Sequence, residues 1–266
     1  MKRLLITGAT SGIGEAVALL AAQLGYSVIA CGRNADKLAV LAQQPNISTC
    51  QFDVTDLAQT QAALANVQCD IALLNAGTCE YVDIDNIEPA MFERVFAANV
   101  FGVINVIKAL SPNLQSGNKL VFVDSLARLL PFPRSQAYGA SKAALHYIAK
   151  SCAVDYAEKG VRVQTISPGF VITPLTDKND FPMPMSISVE EAARDIVAGI
   201  KTNKASIYFP TRFSMILRGL HALPEFIQHR LSLRMRQPKQ SDTNQRSDTN
   251  QRSDTNQRNN NNKSVK

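Results

Sequence analysis

The chain has no apolar run of bilayer-spanning length, no Cys-X-X-Cys pair and no His/Cys/Asp/Glu cluster at metal-ligand spacing. Each absence closes off a class of function. Without about 20 consecutive apolar residues, a transmembrane protein is not expected. Its 266 residues are 45% hydrophobic and 19% charged, enough to bury a real core, which excludes a wholly disordered chain. Cys31, Cys50, Cys69, Cys79 and Cys152 are odd in number and scattered through apolar contexts. Buried free thiols in the reducing cytoplasm are expected, not a disulfide framework. At the start, Met1-Lys2-Arg3 leads into three apolar residues that stop at Thr7-Gly8, too short for the core of a signal peptide, so no export is expected. No metal is expected either. His146, His221 and His229 read as packing or surface side chains.

The net charge of +6 suggests a basic protein, but it is unevenly placed. Nine Lys/Arg and three Asp lie from Arg230 onward, so residues 1–229 balance at nineteen bases and nineteen acids. The body is neutral. Ser-Asp-Thr-Asn-Gln-Arg recurs at 241–246, 247–252 and 253–258, with no residue able to anchor a core. Residues 237–266 are expected to be a disordered low-complexity tail. The repeats alternate Asp with Arg and lack aromatics for base stacking, so no specific nucleic-acid partner is expected.

Between these limits the pattern alternates strands and helices. Strands are expected at 4–7, 27–31, 48–53, 71–75, 120–123, 162–166 and 206–209. Helices are expected at 15–24, 35–43, 57–65, about 89–110, 137–158 and 189–200. Continuous apolar strands separated by helices imply an α/β fold: a doubly wound, Rossmann-type, mostly parallel sheet with helices on both faces, in a single domain over 1–210. Residues 211–236 form a basic amphipathic extension, expected as two short helices broken near Pro224. It suits packing in an oligomer interface or on the domain, a pocket cap, or an anionic membrane surface.

The first strand runs into Thr7-Gly8-Ala9-Thr10-Ser11-Gly12-Ile13-Gly14, and a helix follows at once. Small residues let the backbone approach a pyrophosphate, and the helix N-terminus supplies N–H groups and a positive dipole end. A dinucleotide site over Gly8, Thr10, Ser11, Gly12, Ile13 and Gly14 is expected. The spacing is GxxxGxG, not the commoner GxGxxG. The second strand ends in Gly32-Arg33-Asn34 with no acidic residue before Asp36. An acid there would grip a ribose 2′-hydroxyl; Arg33 suits a 2′-phosphate, favouring NADP(H), with NAD(H) the alternative. Asp53 suits the adenine amino group or a turn. Tyr138 and Lys142 stand four apart on one helix face, so both can reach one ligand. A nearby ammonium, together with the positive nicotinamide of an oxidised cofactor, would draw a phenol's pKa down from about 10 toward the working range.

Taken together, TGATSGIG at 7–14, Asp53-Val54, Asn75-Ala76-Gly77, Asn99, Ser125, Tyr138-Gly-Ala-Ser-Lys142 and Pro168-Gly169 resemble the short-chain dehydrogenase/reductase family over residues 1–210. The resemblance implies that Tyr138 is the general acid/base and that Ser125 holds the substrate oxygen. It further implies that Lys142 binds the nicotinamide ribose and tunes Tyr138, and that Asn99 holds a water in a proton relay. Asn75 and Gly77 would line the cofactor site, and Pro168, Gly169 and Thr173 would meet the nicotinamide carboxamide. Hydride would pass directly between the cofactor and a small-molecule carbonyl or alcohol, with the hydroxyls of Ser125 and Tyr138 meeting the charge on oxygen. A cytoplasmic homodimer or homotetramer is expected.

Asp124, just before Ser125, departs from the small or hydroxyl residue of many relatives; a carboxylate there would perturb the site or cap the strand end, and the cap is expected. Phe181, Met183 and Met185 lie among prolines in the loop 174–188. They suit an apolar part of a substrate or a plug at the domain edge. The competing function, a dinucleotide-binding regulator or scaffold without turnover, would be marked by loss of Ser125, Tyr138 or Lys142, and all three are present.

Overall fold

The computed structural model describes residues 1–177, 179 and 181–235. The expected tail 237–266 and Arg236 lie outside the described residues. Met1–Leu233 form one compact unit; of the second, Arg234–Lys266, only Arg234 and Met235 are described.

Seven parallel strands make one sheet: β1 (Arg3–Thr7), β2 (Ser27–Gly32), β3 (Ile47–Gln51), β4 (Ile71–Leu74), β5 (Lys119–Val123), β6 (Arg162–Pro168) and β7 (Ser206–Phe209). Their order is β3-β2-β1-β4-β5-β6-β7. Alternation within β1 sets the two faces. Leu4 and Ile6 point into a core with α1 (Gly12–Gln23) and α7 (Val189–Ile200), while Leu5 points into a core with α3 (Leu57–Leu64), α5 (Gly102–Leu110) and α6 (Gln136–Ala157). Every residue of β4 and β5 is buried, as expected of central parallel strands covered on both faces. Asn34 and Asp56 cap α2 (Ala35–Leu41) and α3, and Ser188 with Glu191 forms a capping box on α7.

The helix expected at 89–110 is interrupted. α4 (Pro89–Phe96) passes through a five-residue π-helical segment (Ala97–Phe101) into α5. A widened turn of this kind is found frequently at functional sites, and it contains Asn99. The helical stretch Pro89–Asn113 is long and apolar enough by composition to cross a bilayer, which counting consecutive apolar residues had not shown. Here Val103, Val106, Ile107, Ala109 and Leu110 belong to the core with α3 and α6, and Val95 packs with Val82 and Ala137.

Beyond β7, α8 (Thr211–His221) and α9 (Glu225–Arg234) follow. Phe213 and Leu217 of α8 are buried in a third cluster with Leu126, Leu129 and Leu130. Of the fates open to this segment, α8 therefore packs on the domain. Strand order reverses between β1 and β4, and in open parallel sheets ligands bind beyond the carboxyl ends at such a reversal.

Candidate active site

At the reversal, the ends of β1 and β4 are tied together. Asn75 N and Ala76 N both donate to Thr7 Oγ1 at 3.0 Å, and Asn75 Nδ2 donates to Thr7 O at 3.1 Å. The loop from Gly8 then turns into α1 with Gly8 and Gly12 at positive φ. A Cβ on Gly14 would stand 2.2 Å from Gly8 O, so no other residue fits without moving the loop. The Ser11 side chain does not cap α1, which leaves the first amides of the helix without a side-chain acceptor. Uncapped amides, positive φ and a crowded glycine together form a cradle that fits a phosphate. Ile13 packs against the core, and the Thr10 methyl lies where a Cβ of Gly32 would be. Thr173, beyond β6, sits 3.4 Å from the Cβ position of Gly12 and so meets the same loop.

At the end of β2, Arg33 Nη1 pairs with Asp53 Oδ2 at 3.2 Å, and the arginine side chain is 75% exposed. Asp53 Oδ1 accepts from Thr55 N and Oγ1, so the turn geometry expected of it is formed. Burial works against its charge, yet the bonds from Thr55 and Arg33 hold the Asp53 carboxyl below its ordinary value.

The second half of the site converges from three elements. A Cβ on Gly77 would be 2.8 Å from Asn99 Oδ1 and 3.5 Å from Lys142 Nζ. Asn99 is fully buried: Oδ1 accepts from Thr78 N at 2.7 Å, while Nδ2 donates to Thr78 O and Ser141 Oγ, each at 2.9 Å. These bonds engage the whole carboxamide in bracing the loop after β4 against α6. Lys142 Nζ donates to Val123 O at 2.9 Å and lies 5.8 Å from the centroid of the Tyr138 ring. Ser125 caps a short 3-10 turn (Leu126–Arg128) by accepting from Ala127 N, and its hydroxyl neighbours the Tyr138 phenol.

The electrostatics differ from the expected lowering of the phenol pKa. Burial, then the neighbouring Cys79, push the Tyr138 phenol well above its ordinary value, against the hydrogen bond from Ser125. Burial also pushes Lys142 down to about 8, although Asp124 and Cys79 favour its charged form. The site as it stands is therefore a protonated phenol, a weaker acid than an exposed tyrosine, beside an ammonium whose charge would stabilise the phenolate that proton transfer leaves.

Other side chains around this group have partners that the sequence left open. Asp124 does not merely cap a strand. Its side chain is fully buried, with Oδ2 3.1 Å from Arg128 Nε and 2.6 Å from His146 Nδ1, while Oδ1 is buried without a partner. His146 is accordingly neither surface nor simple packing; its spacing of four from Lys142 was the available signal. His221 Nδ1 meets Leu129 O at 2.7 Å. Cys79 adjoins Tyr81, Tyr138 and Lys142, and burial pushes its thiol up to about 11. The Tyr81 hydroxyl donates to Asn179 Oδ1 at 2.5 Å, and Phe181 meets the Tyr81 ring edge-on at 5.4 Å. Phe170 and Phe213 continue this aromatic row. Gly169 has a packing reason of its own: a Cβ there would be 2.8 Å from the Phe213 ring.

Residues 2–182 match the family model described as short chain dehydrogenase. An uncharacterized oxidoreductase of Staphylococcus epidermidis is 33% identical over 201 residues, 72% of this chain and 87% of that protein. The NADPH-dependent 1-acyldihydroxyacetone phosphate reductase of Saccharomyces cerevisiae is 35% identical over 189 residues, 66% of this chain and 63% of that protein. A solved short chain dehydrogenase of Burkholderia cenocepacia in complex with NADP shares the fold. Its TM-score is 0.78 at 24% identity, over 89% of this chain and 98% of the other.

Proposed function

The chain belongs to the short-chain dehydrogenase family, and from that premise we propose that it is an NADP-dependent oxidoreductase interconverting a carbonyl and a secondary alcohol with an apolar part. Convergence of Ser125, Tyr138 and Lys142 beside the phosphate-fitting loop carries this proposal. The bound nicotinamide supplies or accepts the hydride. Ser125 orients the substrate oxygen, and Tyr138 gives its phenolic proton to that oxygen as charge develops there. Lys142, fixed on Val123 O, stabilises the phenolate left behind. Asn99 fixes the loop carrying Thr78 and, through Ser141, the first turns of α6; Asn75, Gly77 and Thr173 flank the cofactor side. A screen of ketones and alcohols with NADPH and NADP, followed by nicotinamide absorbance, tests the activity; no turnover across acyl, steroid and sugar carbonyls would refute it.

Cofactor choice rests on Arg33, exposed at the end of β2 where an acid would select the unphosphorylated ribose. Losing its bonds to a 2′-phosphate is worth about 2 kcal/mol, roughly thirtyfold. Arg33→Asp is therefore expected to lower the NADPH/NADH ratio of kcat/KM by about that factor; an unchanged ratio removes Arg33 from cofactor selection. For the substrate, the row Tyr81, Phe181 and Phe170 gives an apolar wall next to Cys79 and Tyr138, and the yeast relative acts on an acylated ketone.

A homo-oligomer, dimer or tetramer, is supported by exposed apolar side chains: Phe101 and Ile104 on the long helical stretch, and Tyr147 and Val154 of α6. Light scattering is expected to give a whole multiple of 29.0 kDa greater than one. A monomer at micromolar concentration would exclude it.

A further inference from the structure

Cys31 and Cys50 have no place in the chemistry above, yet they are neighbours by construction. β2 and β3 pair in parallel register with Cys31 opposite Cys50, and both thiols face the core beneath the sheet. The Cys31 thiol donates to Ile29 O at 3.7 Å and the Cys50 thiol to Ala63 O at 3.4 Å, so each sulfur is held on the same side of the sheet. Adjacent strands lie about 4.8 Å apart, which is inside the Cα separation that a disulfide accepts. Cys31 is buried, but β3 is an edge strand and Cys50 is half-buried, with its sulfur 3.4 Å from Ala63 O.

We propose that Cys31 and Cys50 form a reversible dithiol–disulfide site that weakens NADP(H) binding when oxidised by a hydroperoxide. This rests on the proposed cofactor. The Cys50 thiolate attacks the peroxide, breaking its O–O bond, becoming a sulfenic acid and releasing water or an alcohol. Cys31 sulfur then displaces hydroxide from the Cys50 sulfur; its proton leaves with that hydroxide as a second water. Two thiols are oxidised and one peroxide is reduced. The neighbouring Cys31 draws the Cys50 thiol below its ordinary value despite burial, which favours Cys50 as the attacking sulfur.

The coupling to the cofactor site is steric. Side chains opposite each other on parallel strands stand farther apart than the usual disulfide Cβ separation, so the strand ends must draw together for the bond to close. That strain also makes the bond easy to reduce. Gly32 follows Cys31 and is already pressed on Thr10 of the glycine-rich loop, with only 2.6 Å available to a Cβ. Arg33 and Asp53, paired at 3.2 Å, sit just beyond the two cysteines. Closing the disulfide therefore displaces both the phosphate cradle and the Arg33 platform.

The test uses the full-length reduced protein, treated with hydrogen peroxide and then with dithiothreitol. Free thiols are counted by alkylation and mass spectrometry, and the NADPH dissociation constant is measured by fluorescence titration. Expected are the loss of two of the five thiols, a several-fold weaker NADPH affinity, and recovery of both on reduction. Cys50→Ser and Cys50→Ala are expected to lose neither thiol pair nor affinity. Retention of all thiols, oxidation that stops at a sulfenic acid, a disulfide equally formed in the Cys50 variants, or a disulfide with unchanged NADPH affinity would each overturn the proposal. Failure of the reduced protein to bind NADPH at all would instead overturn the cofactor assignment, and the thiol count keeps the two failures apart.

Discussion

Tyr138→Phe is expected to lower carbonyl reduction by roughly 10²–10⁴-fold while leaving NADPH affinity unchanged. Phenylalanine keeps the ring and its packing but removes the phenolic proton assigned to the substrate oxygen. Burial holds the wild-type phenol protonated at all ordinary pH, so the proton is available for reduction. Lys142, pushed down to about 8, loses its charge as pH rises through that value and then no longer stabilises the phenolate left by transfer. Wild-type reduction should accordingly decline above about pH 8, as pH–rate profiles of kcat would show. Substantial turnover by Tyr138→Phe would remove this residue as the proton donor.

The second large effect is on stability. Asp124→Asn is expected to destabilise the fold by about 3 kcal/mol, because removing one charge of a buried pair leaves its partner uncompensated. Arg128 is only 10% exposed and His146 19%, so water cannot replace the lost carboxylate. For a domain of this size that corresponds to a fall in Tm of roughly 10 °C, measurable by calorimetry. Salt should change the difference little, since buried pairs are poorly screened. Activity should fall as well. Val123, whose carbonyl holds Lys142, and Ser125 flank Asp124 directly, and both depend on where the end of β5 is held. Adding Arg128→Met to Asp124→Asn should restore part of the stability, as the stranded cation is removed. An Asp124→Asn variant as stable as wild type would show that the pair adds nothing to the fold.

What could be read ahead of the structure follows from how each signal is written in the chain. Strands β4 and β5 are short continuous apolar runs, and the loop before α1 is a contiguous string of small residues, so both are visible locally. Tyr138 and Lys142 are visible because a helix fixes their separation at one turn. The cluster of Asp124, Arg128 and His146 is different. It joins a strand end, a 3-10 turn and a helix through residues 22 apart, and no local pattern links His146 to Asp124. The π-helical segment at Asn99 was also hidden, since an apolar helical sequence carries no mark of one widened turn. Tyr81 and Asn179 meet across 98 positions, which only folding can arrange.

The neutral body and basic tail, the doubly wound class, the glycine-rich turn and the Tyr138–Lys142 pair were determined by sequence alone, because periodicity and turn chemistry act over a few residues. Tertiary structure decided the protonation bias of the site. Burial, a property of the whole fold, outweighs the nearby charges and sets both Tyr138 and Lys142. It also decided that Asp124 is a buried clamp and that Cys31 lies opposite Cys50, since both depend on which strands and helices become neighbours.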